Sequence, residues 1–100
     1  MFNSAIISVV DDDELILISL DSLLRSYGYT VNTYNSAYAF LESSGPEQTD
    51  CLISDIQMEN GSGLDLIRRI RAQPPEVGGL VPAIAVSGGV HLEEALAAGF

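Results

Sequence analysis

The feature that most narrows the fold is a repeated change of apolar period along the chain. Short β-branched runs alternate strictly with stretches whose apolar residues recur three and four apart. Ile6 to Val10 is a run of the first kind and ends at three aspartates. Glu14 to Tyr27 is of the second kind, with Ile16, Leu20, Leu23, Leu24 and Tyr27 at helical spacing and Gly28 as its stop. Thr30 to Tyr34 reads as a second strand, and Ala37 to Glu42 as a short helix capped by Ser36. Ser43 to Thr49 carries Gly45-Pro46 and reads as a loop. Cys51 to Ser54 is a third strand ending at Asp55, and Glu59 to Gly63 a loop with Ser62 as a cap. Leu64 to Ala72 is a helix with Leu66, Ile67 and Ile70 inward. Its Asp65 is early and Arg68, Arg69 and Arg71 are late, which complements the helix dipole. After a Pro/Gly-rich connection from Gln73 to Pro82, Ala83 to Val86 is a fourth strand. Ser87-Gly88-Gly89 and a helix from Leu92 to Ala98, stopped by Gly99, complete the series.

Strands so continuously apolar are buried on both faces, which calls for a parallel sheet covered by helices on each side. One hundred residues suffice for one such domain. Four basic residues, all arginine, stand against fourteen acidic ones, a net charge of −10. Such a surface repels phosphate backbones and anionic headgroups, so no direct nucleic-acid or membrane binding is expected; a metal cation or a basic partner suits it. The single Cys51 excludes an internal disulfide and is expected to pack as a small hydrophobe. No basic leader and no apolar run near ~20 residues is visible, and the expected compartment is the cytoplasm.

In an open parallel α/β sheet, chemistry gathers at the carboxyl ends of the strands. Here those ends carry Asp11-Asp12-Asp13, Asp55 and Ser87-Gly88. Clustered carboxylates repel one another unless something neutralises them, and a hard cation with oxygen ligands does so. A carboxylate beside bound Mg²⁺ can serve as a nucleophile in phosphoryl transfer. The blander reading makes the Asp11–Glu14 run a helix cap, and Asp13 suits that role. His91 and the three clustered arginines read as solvated, and the four tyrosines as packing at the margins of sheet and helices.

Val9-Val10-Asp11-Asp12-Asp13, Ser54-Asp55-Ile56-Gln57-Met58 with Gly63 eight residues beyond Asp55, and Pro82-Ala83-Ile84-Ala85-Val86-Ser87-Gly88 resemble successive signatures of CheY-like receiver domains. Glu94 to Gly99 is similar to the family's segment before its last strand, and Tyr34 to Leu41 has a FixJ-type texture. The resemblance implies a three-layer, flavodoxin-like α/β fold with strand order 2-1-3-4. It implies a receiver domain over 1–100 that lacks the family's fifth strand and fifth helix, about 20 residues. It implies that Asp55 accepts a phosphoryl group from a sensor histidine kinase with Mg²⁺ as cofactor. Asp12 would hold the metal directly, Asp11 through water, and Gln57 through its backbone carbonyl. Ser87 would hydrogen-bond the phosphoryl group and switch, and Gly88 would leave it room. The FixJ-type likeness implies a DNA-binding output domain downstream in the parent protein.

Two departures matter. Glu59 stands where the family commonly has proline, and the family's lysine, at the end of the fifth strand, has no counterpart in a chain without lysine. A phosphorylation-incompetent interaction module is therefore the rival reading. A metal-dependent phosphohydrolase using the DxD within Asp11–Asp13 is a weaker one. Without a fifth strand the fourth becomes an apolar edge, so a homodimer, a domain-exchanged oligomer or a marginally stable monomer is expected.

Overall fold

The apolar runs do form one parallel sheet. A computed structural model describes residues 5–43, 45–58, 61–86 and 96–100, with 46, 57, 58, 61 and 62 described as backbone alone. In chain order the elements are β1 (Ile6–Val10), α1 (Glu14–Ser26), β2 (Thr30–Tyr34), α2 (Ala37–Glu42), α3 (Gly45–Gln48), β3 (Cys51–Asp55), β4 (Gln57–Met58), β5 (Gly61–Ser62), α4 (Gly63–Arg71), a 3₁₀ turn (Pro75–Val77) and β6 (Ala83–Val86). The main sheet runs β2-β1-β3-β6, all parallel, which is the expected order of second, first, third and fourth strands. β4 and β5 form a small separate hairpin.

Alternation along the strands sends side chains to two cores. Ile7, Val9 and Val31 pack with Leu17, Leu20 and Leu24 of α1 on one face. Val10 and Leu52 pack with Phe40 of α2 and Leu66, Ile67 and Ile70 of α4 on the other. Helices thus cover both faces, giving the three-layer, flavodoxin-like α/β fold. Cys51 is half-buried against the first core.

Local signals explain the element ends. Asp13 caps α1, accepting the Leu15 N–H at 2.9 Å. Ser36 caps α2 through the Ala39 N–H at 3.0 Å. Gly28 ends α1 at φ +90°, a conformation glycine adopts without strain.

Several expectations need correction. Glu59 to Gly63 is not all loop: Gly61–Ser62 forms β5, whose backbone pairs with β4, and Gly63 opens α4. Ser43 to Thr49 is not all loop: Gly45–Gln48 forms α3, because proline in a first helical turn removes no needed hydrogen bond, and Thr49 Oγ1 donates to the Gly45 carbonyl. The buried face of α1 is Leu17, Leu20 and Leu24, while Ile16, Leu23 and Tyr27 are exposed. Arg71 is not a solvated side chain. Its Nε donates to Gly99 O at 3.0 Å and its Nη1 to Gly79 O at 3.2 Å, strapping α4 to the chain end and to the loop after the 3₁₀ turn. The 92–98 helix lies within the description only at 96–98, which are helical, and His91 lies outside the described residues. Tyr29 and Tyr34 pack at the core margins as expected, whereas Tyr27 and Tyr38 are exposed.

The strap gives a direct test. Charged donors held on carbonyls each contribute up to about 1.5–3 kcal/mol. Arg71→Ala should cost about 1–3 kcal/mol in urea unfolding and speed amide exchange at 96–100. Arg69→Ala, on an exposed position, should stay within about 0.5 kcal/mol. Equal behaviour of the two variants would show that the strap contributes nothing.

Candidate metal centre

Parallel pairing sets the site. β1 and β3 are neighbours, with Val10 opposite Ser54, so both strands deliver an aspartate to the same end of the sheet. Asp11 follows β1 directly, and Asp55 is the last residue of β3, opposite Val86 of β6. The carboxylates of Asp11, Asp12 and Asp55 each place an oxygen within 4.8 Å of the others. Asp11 is buried, Asp55 half-buried and Asp12 exposed.

The local backbone fixes this arrangement. The Asp11 N–H donates to Tyr34 O at 3.1 Å, tying the end of β1 to β2. Asp11 Oδ1 accepts the Asp13 N–H at 2.8 Å, a turn that aspartate closes with its own side chain. Asp13 turns away to cap α1. The three consecutive aspartates are therefore divided in role: the first two join the cluster and the third starts the helix.

Burial pushes the Asp11 carboxyl above the usual carboxylate range. The Asp13 N–H opposes that shift, and the negative charges of Asp55, Asp12 and Asp13 add to it. A cation placed among these oxygens would relieve both the burial and the repulsion, and an all-oxygen donor set fits Mg²⁺. An acid whose pKa rises on folding contributes stability below its unfolded value and loses it as pH climbs through the raised folded value. Without metal, Asp11→Asn should therefore gain on the parent as pH rises from about 4 towards about 7, read from thermal melts in chelator. A constant difference across that range would contradict the assignment.

The other expected site residues divide in two. Gln57 opens β4 two positions beyond Asp55, and its backbone pairs with Ser62; its side chain and that of Ser62 lie outside the description. Ser87, Gly88 and Glu59 lie outside the described residues. The strand before Ser87 does end beside the cluster, since Val86 O accepts the Ile56 N–H at 3.2 Å. Sequence reasoning gave Gly63 no role beyond motif spacing. Its backbone packs on that of Asp55, and its N–H donates to Ile56 O at 2.8 Å. The fixed eight-residue interval from Asp55 was the available signal.

Residues 7–99 match the family model for the response regulator receiver domain. The chain is 42% identical over 84 residues to the response regulator protein TmoT of Ectopseudomonas mendocina, covering 84% of this chain and 36% of that protein. It is 37% identical over 67 residues to the transcriptional regulatory protein FixJ of Azorhizobium caulinodans, covering 67% of this chain and 32% of that one. It thus spans about a third of the length of these relatives. Among solved structures, chemotaxis response regulator CheY4 of Vibrio cholerae superposes with a TM-score of 0.86 at 23% identity, over 97% of this chain and 82% of that one. The structure titled FixJ-N gives 0.80 at 29% identity, over 98% and 78%.

Proposed function

This chain belongs to the response regulator receiver domain family, and from that premise we propose that Asp55 accepts a phosphoryl group from a sensor histidine kinase. The observation that carries the reading is the convergence of the Asp11, Asp12 and Asp55 carboxylates at one end of the sheet. Asp12, Asp55 and the backbone carbonyl of Gln57 would hold Mg²⁺, with Asp11 acting through water. When bound, the ion offsets the charge of the carboxylates and of the incoming phosphoryl oxygens. Asp55 attacks phosphorus; a P–O bond forms as the donor's P–N bond breaks, and the imidazole leaves with that electron pair and takes up a proton. The Ser87 hydroxyl donates to a phosphoryl oxygen and moves with it, and Gly88 leaves the group room. The domain acts as a phosphoacceptor in cytoplasmic two-component signalling and assists its own modification.

Intact mass after incubation with Mg²⁺ and acetyl phosphate tests this, with Asp55→Asn alongside. One phosphoryl adduct on the parent alone is the expected result. No adduct on a chain that still binds Mg²⁺ would favour the rival, an interaction module without phosphorylation. The phosphohydrolase reading finds little support. It would place the nucleophile in the aspartates after β1 and leave Asp55, at the end of β3, unexplained.

The same reading includes self-association through β6. Among the described residues β6 pairs only with β3, carries no charge, and exposes Ile84 at 53% and Val86 at 38%. An apolar edge strand with unpaired backbone groups is a template for pairing with a second copy. Sedimentation velocity should show a dimer or larger species that Ile84→Lys shifts to monomer. A folded parent monomer at high concentration would rule it out.

A further inference from the structure

We infer that Gly63 is a positioning residue for the Asp55 site, because it lets the start of α4 seat directly on the backbone of Asp55. The inference deepens the phosphoacceptor reading and rests on it for its functional consequence. The chain leaves the sheet at Asp55-Ile56, makes the β4–β5 hairpin, and returns at Gly63, which is buried and opens α4. The Gly63 N–H donates to Ile56 O at 2.8 Å, closing the base of the hairpin. A Cβ on Gly63 would lie 2.9 Å from the Asp55 carbonyl carbon and 2.9 Å from Ile56 Cα, and closer still to the Asp55 carbonyl oxygen. All three are backbone atoms of the last residue of β3 and the residue after it, so no flexible side chain can yield. Either α4 retreats or the end of β3 does, and Asp55 moves with it.

Nothing at Gly63 requires a positive φ, since among the described residues the positive values belong to Gly28, Gly78 and Gly99. The requirement is for space alone. Gln57, proposed to offer its carbonyl to the metal, is the first residue of the hairpin that Gly63 closes. One missing methyl group thus sets two proposed ligands together: the Asp55 carboxylate through its backbone, and the Gln57 carbonyl through the loop base.

A matched control exists in the same chain. A Cβ on Gly79 would lie 2.9 Å from the Gln73 carbonyl carbon and 3.0 Å from Pro74 O, and closer still to Gln73 O. The clash is equally tight and also against backbone, but it involves none of the carboxylate residues. Gly63→Ala and Gly79→Ala should both destabilise the fold. Only Gly63→Ala should move the Asp55 carboxyl ¹³C resonance at fixed pH in the folded, metal-free protein. Only it should weaken Mg²⁺ binding, by tenfold or more.

Parent-like Asp55 resonances and Mg²⁺ affinity in folded Gly63→Ala would overturn the inference, as would equal losses in Gly79→Ala. If the parent itself binds no Mg²⁺, the phosphoacceptor reading fails, while the Asp55 resonance still decides the role of Gly63. Should Gly63→Ala not fold, amide exchange on the unmodified protein decides. Gly63 N–H should be protected as strongly as the amides of β3, and exchange at loop rates would overturn the clamp.

Discussion

Mg²⁺ should raise the unfolding temperature of this chain by about 10 °C or more, and Asp12→Ala should remove about half of that rise or more. A ligand at a hundred times its Kd stabilises the folded state by about 2.7 kcal/mol. In a domain of this size each kcal/mol moves the midpoint by about 4–8 °C. The effect is expected to be large because the site is costly when empty: three carboxylate oxygens lie within 4.8 Å, one of them on a buried residue. Asp12→Ala deletes the most exposed member. It should leave the metal-free protein as stable as the parent or slightly more so, because one repulsion disappears. With Mg²⁺ it should fall well below the parent, since losing a carboxylate ligand should weaken binding at least about tenfold, or ~1.4 kcal/mol. That reversal separates specific binding from screening, which NaCl at matched ionic strength reproduces. An equal rise in Mg²⁺ and NaCl would contradict the site.

The second large effect lies in the core. Phe40 is fully buried and meets Tyr34 edge to face, with centroids 5.1 Å apart and planes at 73°. It packs in the same core as Leu52 and Leu66 of neighbouring elements. Phe40→Ala should cost about 3–5 kcal/mol, combining lost transfer energy and an unfilled cavity. Domains hold only about 5–15 kcal/mol in total, so much of the variant should be unfolded at modest urea concentrations. Tyr38, two residues away and 71% exposed, is the contrast. Its alanine variant should change stability by no more than about 0.5 kcal/mol. A Phe40→Ala cost near that of Tyr38→Ala would mean the α2 face of the core is misplaced.

Physical reasons separate what could be read in the sequence from what could not. β1, β3 and β6 were legible as short, nearly continuous apolar runs, and β2 by its alternation and β-branched residues. Their order was not; it came from the family resemblance. The meeting of Asp11, Asp12 and Asp55 was legible once strands one and three were placed side by side, because parallel strands deliver their ends to one edge.

The phase of α1 was not legible. Leu15, Ile16, Leu17, Ile18, Leu20, Leu23 and Leu24 surround the helix almost completely, so several apolar stripes fit equally well. Tertiary packing chose the stripe through Leu17, Leu20 and Leu24. α3 was hidden because Gly45-Pro46 breaks a helix interior yet opens a helix readily. Arg71 and Gly63 escaped for a shared reason. Each acts on backbone distant in sequence, Arg71 on Gly79 and Gly99, and Gly63 on Asp55. Residue type and local period carry no record of such contacts.

The central claim is that the acceptor is Asp55 and no other carboxylate in the cluster. Borohydride reduction after acetyl phosphate and Mg²⁺ treatment, followed by peptide mapping, reads this directly, because an aspartyl phosphate is reduced to homoserine. The account predicts homoserine at position 55 alone, dependent on Mg²⁺. Homoserine at position 11, 12 or 13, or none in a chain shown to bind Mg²⁺, would contradict it.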